Sequence, residues 1–99
     1  MGYPKYRVLQ AAHAVTAEKI VEMPDGKMFG GGTLIGTGTN QVVAHVYTAP
    51  AAGGPWVLIF CMTTQYSGLS QLAPIPCDKW IKITPSGTGA KFSPYVCLE

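Results

Sequence analysis

The run Trp56-Val-Leu-Ile-Phe-Cys-Met62 places seven apolar residues in a row with no alternation between apolar and polar positions. It is far too short to span a bilayer, which takes about 18 apolar residues. In a mostly antiparallel protein, a strand without period two predicts cover on both faces. One face is expected to meet the domain's own opposing sheet, and the other a local loop or a neighbouring chain. Burying one large apolar side chain contributes about 1.5–3 kcal/mol, so three left bare would forfeit several kcal/mol. The question of what covers the second face therefore follows from the sequence.

The flanking segments place this run in a hairpin. Gln41 to Thr48 sets Val42, Ala44 and Val46 on one face and Val43, His45 and Tyr47 on the other, a period of two rich in β-branched residues. Ala49 to Pro55 reads as the connecting loop and Trp56 to Thr63 as the second strand. Lys79-Trp-Ile-Lys-Ile-Thr84 alternates in the same way, with Ile81 and Ile83 inward and Trp80 and Lys82 outward.

Elsewhere the pattern is weaker. Lys5 to Gln10 predicts an opening strand, and Ala11 to Met23 is compatible with helix or strand. Pro24-Asp25-Gly26 carries hairpin-turn chemistry, which predicts that 18–23 pairs with 27–30. Gly30-Gly31-Gly32 is expected to break regular structure before a brief strand at 33–35. Leu69 to Ala73 predicts a short strand, and Lys91 to Cys97 a last strand that Pro94 should confine to a sheet edge. Seven or eight short strands with closely spaced turns predict an all-β fold, a small antiparallel β-sandwich or barrel.

At 99 residues the chain has room for one hydrophobic core, expected to occupy residues 3–97. Met1-Gly2 and Leu98-Glu99 read as residues added in cloning, and without Glu99 the formal charge of +2 becomes +3. Charged residues make up 12% of the chain, about half the usual share, so much of the surface must be uncharged. A surface this poor in charge tends to self-associate, which points to cover by another subunit. The seven basic residues are scattered, which argues against a nucleic-acid partner. Residues 1 to 20 lack the basic and apolar regions of a secretion signal, and free thiols suit a reducing cytoplasm. The expected place of synthesis is cytoplasmic, with no membrane span.

Catalytic groupings are sparse. Glu18 and Glu22 are the one close acidic pair, too little for glycosidase chemistry together with substrate contacts. Cys61, Cys77 and Cys97 show no metal-ligand spacing with each other or with His13 and His45, so no metal or cofactor is expected. Cys61 and His45 would face each other across the hairpin, but a thiol inside an apolar strand is expected to be buried and inert. The glycine-rich stretch from Gly30 to Asn40 lacks the Lys-Ser/Thr ending and the following helix that make such loops bind phosphate. Tyr66, Trp80 and Lys82 form a candidate platform for a glycan or peptide.

Residues 42 to 64, V-V-A-H-V-Y-T-A-P-A-A-G-G-P-W-V-L-I-F-C-M-T-T, resemble a pattern of small β domains in bacteriophage virion proteins. In these, a strand ending in Tyr-Thr-hydrophobic-Pro-Ala leads through a Gly-containing loop to an apolar strand. The resemblance implies a structural or attachment role in heads, tails or fibres, often as trimers or other rings, and it carries no catalytic residues.

The function expected is a non-enzymatic assembly module that associates with itself and other structural proteins, in a virion after synthesis. The expected interface is Val43, His45, Tyr47, Trp56, Leu58, Phe60 and Met62. The alternative is a monomeric carbohydrate- or peptide-binding module using Tyr66, Trp80 and Lys82.

Overall fold

The computed structural model of the chain describes residues 6–37, 40–65 and 68–97. Eight strands run in chain order: β1 (Tyr6–Val8), β2 (Lys19–Glu22), β3 (Met28–Ile35), β4 (Val42–Ala49), β5 (Val57–Thr64), β6 (Gly68–Ile75), β7 (Trp80–Ser86) and β8 (Lys91–Cys97). A 3₁₀ turn at Gln10–Ala12 interrupts them, and there is no α-helix among the described residues. The strands form two antiparallel sheets of four, ordered β1-β8-β3-β6 and β2-β7-β4-β5. The fold is therefore an all-β sandwich.

Alternation decides which residues meet between the sheets. Val42, Ala44 and Val46 of β4 and Ile81 and Ile83 of β7 are buried, as their period of two predicts. They face Phe29 and Leu34 of β3 and Phe92 and Val96 of β8 within one buried cluster. Phe29 meets Phe60 of β5 edge to face, with ring centroids 5.1 Å apart, which ties the two sheets together near one side. Thr48 closes the inner row of β4. Its Oγ1 donates to the Trp80 carbonyl at 3.0 Å and accepts from the Asp78 N–H at 2.8 Å.

Several sequence expectations fail for identifiable reasons. The Pro24-Asp25-Gly26 turn forms, with Gly26 at φ +72° and the Lys27 N–H donating to the Pro24 carbonyl. It joins β2 of one sheet to β3 of the other, so 18–23 does not pair with 27–30; β2 pairs with β7 instead. The three glycines at 30–32 lie within β3, a central eight-residue strand, and do not break it. A Cβ at Gly32 would run into the Phe92 ring, and Gly31 sits at φ +91° where the register with β6 shifts. Here glycine lets the sheets close over a large aromatic ring and admits a bulge.

Pro94 is buried in β8, which is an inner strand and not an edge. The segment from Tyr6 to Val15 covers that side of β8: β1 pairs with 95–97, the Leu9 N–H donates to the Pro94 carbonyl, and Val15 bridges to Phe92. The Pro94 carbonyl and the site of its missing N–H point to the same side, toward Leu9, where the β1 pairing has already ended at Val8, so no bond to β3 is lost.

Candidate functional site

β5 is the edge strand of its sheet, paired among the described residues with β4 alone. The register runs Val42↔Thr64, Ala44↔Met62, His45↔Cys61 and Val46↔Phe60, then shifts so that Tyr47 opposes Leu58. Ile59 is therefore the extra residue of a bulge. Directly opposed residues share a face, so Phe60, Met62 and Thr64 point inward with Val46, Ala44 and Val42. Leu58, Cys61 and Thr63 point outward with Tyr47, His45 and Val43. A bulge reverses which parity faces the core, and the outward Trp56, Leu58 and Cys61 are themselves apolar, so the run from Trp56 to Met62 shows no alternation.

The run is thus not buried on both faces within one protomer. Phe60 and Met62 are 7% and 2% exposed, whereas Val57 and Leu58 are 61% and 50% exposed. Cys61, expected to be buried, is exposed because it stands on the outer face of an edge strand.

The other sheet ends beside it. β6 is its edge, paired among the described residues with β3 alone, and is mostly exposed. Leu69 lies opposite the buried Leu34 and so faces inward, yet it remains exposed; Leu72, three residues on, is 57% exposed. The 64–68 connection thus joins two adjacent edges that both leave apolar side chains in solvent.

The outer face of the β5 sheet carries the polar and aromatic groups. Lys82 of β7 lies opposite Tyr47, and its Nζ sits 4.9 Å from the Tyr47 ring centroid and 5.0 Å from that of Trp56. Both separations are within cation–π range. His45 stacks against Tyr47 at 6.4 Å. Across the outer face of the other sheet, Thr33 Oγ1 hydrogen-bonds both the Tyr95 hydroxyl and Ser70 Oγ.

The expected interface residues therefore divide. The structure brings Val43, His45, Tyr47, Trp56 and Leu58 to the outer side of β4 and β5, and turns Phe60 and Met62 into the core, so those two cannot belong to an outer surface. Of the alternative platform, Tyr66 lies outside the described residues, Trp80 stands opposite Glu22 and Ala49, and Lys82 takes Tyr47 and Trp56 as its aromatic partners.

No family model, curated protein or solved structure matches the chain.

The groups with chemical potential are spread apart. Cys61 and His45 are cross-strand neighbours, and β7 sets Thr84 on the other side of His45. Burial pushes the Cys77 thiol up; a hydrogen bond from the Phe29 backbone opposes this and the Asp78 carboxylate adds to it. Such a thiol stays protonated at neutral pH, away from the nucleophilic form. None of the three cysteines is in a disulfide. Among the described residues no cluster of three or more His, Cys, Asp or Glu is placed to hold a metal ion, and no helix is long and apolar enough to cross a membrane.

Leu69 and Leu72 were missed by sequence reasoning. A signal for them exists: from Met28 to Cys77 there is no Asp, Glu, Lys or Arg. That interval holds β3, β4, β5 and β6, including both strands of the exposed edge.

Proposed function

We propose that this domain is a non-enzymatic structural module that assembles with copies of itself through the side of the sandwich formed by β5 and β6. The observation that carries the reading is that these two edges are each eight residues long, free of charge, and lined by exposed Val57, Leu58, Leu69 and Leu72. An edge strand presents unpaired backbone groups, and natural sheets protect such edges with charge, short length, proline or bulges. β5 and β6 are neither short nor charged; the Ile59 bulge in β5 and Pro74 in β6 interrupt them at one point each, and the solvent-exposed apolar area beside them favours burial in an interface. The resemblance of residues 42 to 64 to bacteriophage virion domains adds a setting, since capsid and tail structures are built from repeated copies.

Light scattering over micromolar concentrations tests the reading. A defined oligomer supports it, and a strictly monomeric mass across the range contradicts it.

A second reading rests on Lys82, whose ammonium lies between the Tyr47 and Trp56 rings. Aromatic faces beside a cation suit a carbohydrate or peptide ligand of a monomeric module. Binding on a glycan or peptide array that is lost in Lys82→Ala supports this, and silence across both arrays removes it.

A further inference from the structure

We infer that two copies join about a two-fold axis through Cys61, with β5 pairing antiparallel to the partner's β5. This inference rests on the assembly reading above and specifies its partner, axis and register.

The occupant follows from charge. The exposed side of β5 and β6 lies in the interval from Met28 to Cys77 that has no Asp, Glu, Lys or Arg, so two copies meet edge to edge without charge repulsion between these strands. A surface that is itself uncharged and edge-exposed is the complement it requires, and a second copy supplies one. A two-fold axis pairs a patch with itself, and antiparallel pairing of identical strands follows from it.

The register follows from parity. From Phe60 to Thr64 the side chains alternate, with Phe60, Met62 and Thr64 buried and Cys61 and Thr63 exposed. Opposed residues must share a face. An axis between two residues would set each against its neighbour's opposite face, so the axis must pass through a residue. With the axis at Cys61, Phe60 lies opposite the partner's Met62, both inward. Beyond the Ile59 bulge, Leu58 lies opposite the partner's Thr63, both outward. Parity thus agrees on each side of the bulge, and the exposed Leu58 gains cover. Moving the axis to Met62 also keeps parity, but it carries the pairing off the strand into the 64–68 connection and uses less of β5.

At the axis, Cys61 faces the partner's Cys61. Opposed Cα atoms of an antiparallel pair are about 4.5–5.5 Å apart, within the roughly 4.4–6.8 Å that a disulfide spans. Facing thiols therefore report the register directly. Copper phenanthroline with oxygen serves as the probe: each S–S bond takes two electrons and two protons from the thiol pair, and oxygen is reduced.

The full chain is oxidised at a concentration where light scattering gives its mass, run on a non-reducing gel, and the linked peptides are mapped by mass spectrometry. The expected result is a dimer in solution, most of the chain in a covalent dimer, and Cys61 linked to Cys61. Cys61→Ser should lose the covalent species while keeping the light-scattering dimer and the circular dichroism of the folded chain. A dimer that yields no Cys61 link, or that links through Cys77 or Cys97, overturns the register and leaves self-assembly standing. A trimer or larger ring overturns the two-fold axis alone. A monomer overturns both this inference and the reading beneath it.

Discussion

The two sides of the sandwich treat their sheet edges in opposite ways. On one side stand β1, three residues long and carrying Arg7, and β2, four residues long with Lys19 and Glu22 at its ends. β1 runs directly into the 3₁₀ turn at Gln10–Ala12, and Glu22 is held at 3.1 Å by Lys79. On the other side stand β5 and β6, eight residues each, without a charge and with leucines in solvent. Short, kinked and charged edges resist pairing with another chain, and long uncharged edges invite it. One molecule that guards one side and leaves the other bare points to an assembly side of defined position.

The largest effect expected is the loss of association when charge is placed on the bare side. Leu58→Lys should reduce the oligomer to monomer in light scattering. In a two-fold interface each change occurs twice, and about half of each leucine side chain is left to bury, so lost leucine burial alone costs about 1.5–3 kcal/mol of association. Ile20→Lys, at a comparably exposed site on β2, should leave the mass unchanged. An equal response to both substitutions would erase the distinction between the two sides.

Within β5 the two faces should separate stability from assembly. Phe60→Ala removes a buried ring that packs on Phe29 and should lower unfolding free energy by about 3–5 kcal/mol in urea denaturation. Leu58→Ala should change the unfolding of dilute monomer by less than about 1 kcal/mol, since half of that side chain is already in solvent.

Smaller effects are expected on the outer face and the guarded edge. Lys82→Ala should cost about 0.5–1 kcal/mol through lost contacts with Tyr47 and Trp56. Lys79→Ala should cost no more than about 0.2–0.5 kcal/mol, because both partners of its pair with Glu22 are about half exposed. Thermal unfolding resolves the first, and a double-mutant cycle with Glu22→Ala isolates the second.

Much of the sandwich was legible where side chains alternate without interruption. Val42 to Tyr47 and Trp80 to Thr84 each declare their inner and outer faces, and the structure places both as their patterns predict. The run from Trp56 to Met62 misled because two effects overlap in it. A bulge at Ile59 inverts the parity, and an edge position leaves the outward apolar residues bare, so a strand covered on one face imitates one covered on both. The Pro24-Asp25-Gly26 turn was legible, but its partners were not. Turn chemistry reverses the chain locally, whereas the choice between pairing within a sheet and crossing to the next is made by distant strands. The glycines at 30–32 misled for a related reason: what requires them lies far away in the sequence, the Phe92 ring at Gly32, the Gln71 backbone at Gly31 and the Tyr6 ring with the Val96–Cys97 backbone at Gly30. The candidate surface was half legible. Val43, His45, Tyr47, Trp56 and Leu58 came out on the expected side, while Leu69 and Leu72 of β6 have no periodic pattern to announce them.

Amide hydrogen exchange followed against protein concentration tests the assembly side most directly. If β5 is the pairing edge, its outward-directed amides should gain protection as concentration rises, while the amides of β1 and β2 exchange at rates that do not depend on concentration. Exchange in β5 that stays as fast as in β2 at every concentration, or protection that grows at β1 and β2 instead, would contradict the account.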